Sequence, residues 1–277
     1  MKFKDLKGYL IAVDLDGTVV QNFDDYDKKS FELLKEVAKN NYVVISTGRP
    51  FRSSQPFYEL LDLKTPIANY NGAWLHNPYD ENFEKSFITI KRESLLKFVN
   101  EKGHILHNLF CEIQDNIYVI RYDDEIEPYL HINGGNLHFG NLNEILPGDP
   151  NGAILFIKKE CDKELEDYIN NNYNNEVRLR YWFTTNVIVC ELYNPLTSKA
   201  NALKRICDYY NIDHKKTIAI GDGHNDIEML EFANIGVAME NAHPELIPHA
   251  SIVTKSVMEN GVYHFLMMDA DKYINEK

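Results

Sequence analysis

Basic residues are scarce in this chain: 29 Lys and Arg stand against 42 Asp and Glu, a formal charge of -13 over 277 residues. A protein that grips a nucleic-acid backbone needs a net basic face, and an anionic membrane surface asks for the same, so neither partner is expected. Cysteine is sparse too. Cys111, Cys161, Cys190 and Cys207 lie far apart with no CxxC pair, which excludes a zinc ribbon, gives no disulfide framework and points to a reducing cytoplasm. Long apolar runs are missing: no stretch reaches the ~18 residues a membrane helix needs. Lys2 and Lys4 could open a signal peptide, but the apolar run Tyr9–Val13 is cut short by Asp14 and Asp16, so secretion is not expected. With 44% hydrophobic and 26% charged residues, what remains is a globular chain with room for one large domain or two ordinary ones.

Short apolar runs alternate with helix-length amphipathic stretches. Tyr9–Val13 and Tyr42–Ser46 are near-continuous apolar strands of the kind buried on both faces of a parallel sheet. Between them, Phe31, Leu34, Val37 and Ala38 recur at helical spacing within Lys28–Asn40. Towards the C-terminus, strands Thr217–Ile220, Gly236–Met239 and Ser251–Thr254 alternate with helices near Ile227–Ala233, Pro244–His249 and Gly261–Met267. This alternation predicts an α/β fold with a Rossmann-like parallel sheet.

The middle of the chain follows a different plan. Strand Ser86–Ile90, helix Glu93–Glu101 and a hairpin Ile105–Ile113/Ile117–Tyr122 are followed by the same order again: Ala153–Lys158, Asp162–Tyr173, Val177–Phe183 and Val187–Tyr193. Two βαββ units predict an inserted α+β domain at 84–193, dividing a core of 1–83 and 194–277. Asp123–Asp149, between the repeats, is rich in Gly and Asn and shows no period.

Four short segments then stand at expected strand ends. Asp14-Leu15-Asp16-Gly17-Thr18 follows the first strand, and in an open parallel sheet the carboxyl ends border the ligand crevice. By itself it could equally be a calcium-loop fragment or a plain turn. Ser46-Thr47-Gly48-Arg49-Pro50 offers a hydroxyl, an amide and a guanidinium suited to an oxyanion, or simply a strand-ending turn with a surface ion pair. Ser198 can cap a helix whose first turn holds Lys199, where the macrodipole disfavours a cation unless an anion is near. Gly221-Asp222-Gly223-His224-Asn225-Asp226 brings two more acids to a third strand end, and its lone G-x-G is weak as a nucleotide signal. His224 could ligate a metal, yet hard oxygen donors dominate here. Four gathered carboxylates would repel one another, and a divalent cation with a preference for oxygen, Mg²⁺ rather than zinc, would relieve them.

Taken in order, these four segments resemble the haloacid dehalogenase (HAD) superfamily, and most closely its Cof-type phosphatases, which carry a large type IIB cap between the second and third segments. Asn71-Gly72-Ala73, Gly236–Ala242 and Glu259-Asn260-Gly261-Val262 look like further signatures of that group. The resemblance implies an HAD core with an inserted cap and a Mg²⁺-dependent phosphatase acting on small phosphorylated metabolites, sugar phosphates foremost. Asp14 would be the nucleophile, forming an aspartyl-phosphate; Asp16 the general acid and base; Thr47 and Lys199 their catalytic partners. Leu15, Thr47, Gly48, Arg49, Lys199 and Asn225 would contact the phosphoryl group. Asp14, the Asp16 carbonyl and Asp222 would hold Mg²⁺, with Asp226 supporting them. Ala200 stands where the family commonly has Gly, and Asn194–Thr197 lacks the usual Gly, but no reactive group is missing. Alternatives are a phosphomutase or phosphotransferase of the same superfamily, or a catalytically silent metabolite binder. On the insert, Arg178, Arg180, Tyr181, Trp182 and His131 could reach a leaving group. Substrate identity, and whether the chain is a monomer or homodimer, stay open.

Overall fold

The computed structural model describes residues 7–22, 25–182 and 188–274; Lys2, Lys4 and the expected strand ends Phe183 and Val187 lie outside them. Two compact units emerge, one of Met1–Gly48, Ser54–Ser86 and Ser198–Lys277, the other of Arg49–Ser53 and Phe87–Thr197.

The first unit is built on a five-stranded sheet in the order Ile252–Val253, Ile235–Ala238, Thr217–Gly221, Leu10–Val13, Tyr42–Ile45. Every pairing is parallel, as expected of runs that are apolar throughout. Leu10, Ala12, Val44 and Ala219 pack against Leu203 and Ile206 of helix Lys199–Tyr210 and Met229 and Leu230 of helix Ile227–Phe232. Ile11, Val13, Val43 and Ile45, pointing to the other face, are equally buried, so both faces are covered and alternation has no role. In register, Val13 lies opposite Ile220 on one side and Ile45 on the other. The strands therefore end together, and Asp14, Ser46 and Gly221 come level.

Among the elements that depart from expectation, two have a local cause. Pro244–His249 is no α-helix but a turn closed by a 3-10 segment at Ile247–His249, because Pro248 has no N–H to donate to the carbonyl four residues back and its ring would crowd that carbonyl. A hairpin of three-residue strands, Ile67–Asn69 and Trp74–His76, was not foreseen, being too short to show a period.

The second unit holds a six-stranded sheet in the order Asn136–Phe139, Asn116–Val119, Leu106–Ile113, Ala153–Ile157, Ile188–Tyr193, Arg178–Trp182. Here the period is two. Leu109, Cys111, Leu155 and Cys190 face helices Arg92–Lys102 and Asp162–Asn172 through Leu95, Phe98, Leu165 and Ile169. Their neighbours Phe110, Phe156 and Val189 turn to the other side, onto Ile126 and Leu130. The pairings are antiparallel except at the edge, where Asn136–Phe139 runs parallel to Asn116–Val119. That edge strand arises from the stretch without a period, and its exposed residues explain why none was visible. Arg52 belongs to this unit through a 2.6 Å ion pair with Glu112, both side chains buried, and through hydrogen bonds to the carbonyls of Leu130 and His131. Among the described residues, no helix is long and apolar enough to cross a membrane.

Candidate active site

Asp14 closes strand Leu10–Val13, its amide donating to the Ile220 carbonyl at 3.0 Å, and its side chain is only 7% exposed. A buried carboxylate needs a partner. Lys199 supplies it: its Nζ lies 2.8 Å from Asp14 Oδ1 and 2.6 Å from Asp226 Oδ1, with no exposure of the lysine side chain. The helix holding Lys199 starts at Ser198, whose hydroxyl accepts from the Ala200 amide at 3.1 Å. The cation thus sits at the disfavoured end of a helix because two carboxylates await it there.

Asp226 uses both oxygens within the protein. Oδ1 takes Lys199, and Oδ2 accepts from the amides of Asp222 and Gly223 at 3.0 and 2.9 Å. It therefore holds the lysine and fixes the Asp222 loop. Asp222 Oδ1 accepts from the Thr18 hydroxyl at 3.1 Å. Gly17 explains the close approach: at φ +72° a Cβ there would fall 2.0 Å from Asp222 Oδ2, so only glycine lets the two loops meet. Thr47, fully buried, donates its amide to the Ala68 carbonyl and accepts the Asn71 amide on its own carbonyl, both at 2.9 Å. Asn225 Nδ2 donates to Asn71 Oδ1 at 2.8 Å.

Electrostatics single out the acids. Burial pushes Asp14 up to about 7 against the pull of Lys199, and the charges of Asp226 and Asp16 add to the rise. Burial, then Asp14 and Asp226, push Asp222 well above the ordinary carboxylate range. Burial alone would depress Lys199, but the flanking Asp14 and Asp226 overcome it and hold the ammonium charged. Carboxylate oxygens of Asp14, Asp222 and Asp226 lie within 4.8 Å of one another. With Asp226 spoken for, Asp14 and Asp222 are the pair a cation would relieve. Hard oxygen donors and excess negative charge fit a divalent cation of the Mg²⁺ type.

Asp14, Thr47, Gly48, Lys199, Asp222, Asn225 and Asp226 all belong to the first unit. Asp16, exposed, bridges to Val20 and is close enough to Asp14 to act on its charge. Leu15 buries its side chain completely, so only its backbone can meet a ligand. Arg49 belongs to the second unit and is 4% exposed. His224 faces Glu245 at 3.4 Å on the surface. In the second unit, Arg180 is committed to a buried 3.0 Å pair with Glu191 and stacks over Tyr193, and the His131 carbonyl receives Arg52. Thr18, Asn71 and Asn241 were not foreseen as site residues. Asn241 donates to the Gly17 carbonyl at 2.8 Å; all three lie in segments the sequence singles out, Thr18 in the first acidic segment, Asn71 in Asn71-Gly72-Ala73 and Asn241 in Gly236–Ala242, but no role in the site was read for them.

The family described as haloacid dehalogenase-like hydrolase matches residues 11–266. The 5-amino-6-(5-phospho-D-ribitylamino)uracil phosphatase YitU of Bacillus subtilis is 32% identical over 264 residues, covering 95% of this chain and 97% of that protein. Among solved structures, a haloacid dehalogenase-like hydrolase from Bacteroides thetaiotaomicron superposes with a TM-score of 0.77 at 23% identity, covering 94% of this chain and 98% of the other. The HAD subclass IIB sugar phosphatase BT4131 gives 0.76 at 22%, covering 96% and 99%. The fold is that of the HAD enzymes, a parallel-sheet core accompanied by a cap-like second sheet.

Proposed function

From a chain that belongs to the haloacid dehalogenase-like hydrolases, a superfamily of phosphatases and phosphotransferases, we propose a Mg²⁺-dependent phosphatase that hydrolyses small phosphorylated metabolites, sugar phosphates foremost, in the cytoplasm. The observation that carries this reading is the buried Asp14–Lys199–Asp226 chain at the carboxyl end of the central sheet. Lys199 favours the ionised form of Asp14, the form able to attack phosphorus. An Asp14 oxygen forms the new P–O bond as the bond to the leaving alcohol breaks, and Asp16 gives that alcohol its proton. Asp16 then takes a proton from water, the water oxygen attacks phosphorus, and the P–O bond to Asp14 breaks to release inorganic phosphate.

Thr47, the backbone at Leu15 and Gly48, Arg49, Lys199 and Asn225 would hold the phosphoryl oxygens. Phosphoryl transfer asks chiefly for such positioning and charge neutralisation. Asp14, the Asp16 carbonyl and Asp222 would hold Mg²⁺, which when bound offsets charge on the phosphoryl oxygens. The inserted stretch of about 84–193 would serve as the cap domain. Two relatives support a hydroxylated carbon chain as leaving group: one is named for a phosphoribityl substrate and the other for sugar phosphates. Phosphate release from p-nitrophenyl phosphate and a panel of sugar, polyol and cofactor phosphates, with Mg²⁺ or EDTA, tests the reading. Mg²⁺-dependent release is expected. Transfer to a sugar acceptor without net release would favour a mutase, and inertness across the panel a silent binder.

A further inference from the structure

The tip of hairpin Ile67–Asn69/Trp74–His76 is folded in an unusual way. Tyr70, Asn71 and Gly72 follow one another with φ of 50°, 56° and 93°, three consecutive left-handed residues of which the first is a bulky aromatic. Such runs persist only where surrounding structure enforces them, and they collect at functional sites. All three residues are buried.

The tip reaches three of the four segments that build the site. The Asn71 amide donates to the Thr47 carbonyl at 2.9 Å. Asn71 Oδ1 lies so near Gly48 that a Cβ there would come within 3.3 Å, and a Cβ on Gly72 would fall 2.4 Å from the Ser198 carbonyl. The same Asn71 Oδ1 accepts Asn225 Nδ2 at 2.8 Å. An amide nitrogen carries two N–H bonds; one goes to Asn71, which fixes the plane of the amide and the direction of the other. We propose that Asn71 is a positioning residue for phosphoryl transfer, acting through Asn225: it aims the second Asn225 N–H at a phosphoryl oxygen. Asparagine suits the position because it tolerates the left-handed backbone and supplies the acceptor. The proposal rests on the phosphatase reading above.

Asn71→Gly keeps the backbone conformation and the Thr47 contact while deleting the side chain, and it is compared with Asn225→Ala and the double variant on p-nitrophenyl phosphate. Asn71→Gly is expected to lower kcat by about 10- to 100-fold with little change in KM. Because Asn71 acts through Asn225, the double variant should lose no more than the worse single one. Wild-type kinetics in Asn71→Gly, or losses that multiply in the double variant, would overturn the proposal. Should Asn71→Gly fail to fold, Asn71→Asp retains the acceptor and the left-handed preference. A kcat nearer wild type than Asn225→Ala supports the assignment, and one as low as Asn225→Ala overturns it. A wild-type enzyme inert across the whole panel would remove the phosphatase reading and this inference together, whereas an active wild type with an indifferent Asn71→Gly removes the inference alone.

Discussion

Lys199 is the residue on which most depends. Without it, two buried carboxylates lose their shared cation. Breaking a buried ion pair on one side typically costs about 3–5 kcal/mol. Lys199→Met should lower stability by that order at pH 7 in urea titrations, and by less at pH 5, where Asp14, already pushed up to about 7, is largely protonated. Equal losses at both pH values would mean that charge is not the reason. At position 17, a Cβ would run into Asp222 and the φ of +72° would be strained. Gly17→Ala should therefore cut phosphatase activity by ~100-fold or more while the protein remains folded by circular dichroism; such losses are usual when site geometry shifts by an ångström. Asp14, Thr47, Lys199 and Asp222 were legible in the sequence because each follows a strand or opens a helix. The roles of Asn71 and Thr18 were not, although both lie in segments the sequence singles out, since their contacts join residues more than 150 positions apart.

Among elements, the short hairpin carries a pH sensitivity of its own. His76 in strand Trp74–His76 is stacked on Trp74, and burial, with a smaller push from Lys85, lowers its pKa from 6.5 to about 4. A histidine kept neutral in the fold binds protons more readily when unfolded, so its stabilising effect is full above about 6.5 and fades as pH falls towards about 4. The shift corresponds to at most about 3 kcal/mol. His76→Gln should flatten the dependence of unfolding free energy on pH between 4 and 6.5, and an unchanged slope would remove His76 from the account. The parallel strands could be read directly, because full burial writes a continuous apolar run. Helix Pro244–His249 failed for a local reason: apolar spacing suggested it, but Pro248 withholds the donor that would close its first turn. The edge strand Asn136–Phe139 failed for a different one, its exposed side chains leaving no alternation to read.

At the scale of the whole molecule, the excess of acids and the gathered carboxylates of Asp14 and Asp222 favour cation binding. Mg²⁺ should raise the melting temperature of EDTA-treated protein, and the rise should shrink in Asp222→Asn; ligands of the folded state stabilise in proportion to their binding. The two-part plan was visible as a change from runs to alternation along the chain. The substrate was not, because leaving-group contacts depend on side chains whose sequence carries no period. The most direct test of the central claim is acid quench of the Mg²⁺-loaded enzyme during turnover of a phosphate monoester, followed by peptide mapping. The account predicts one phosphoryl group on the peptide containing Asp14, absent in Asp14→Asn. Phosphate release that proceeds with no label on that peptide, or with undiminished rate in Asp14→Asn, would contradict it.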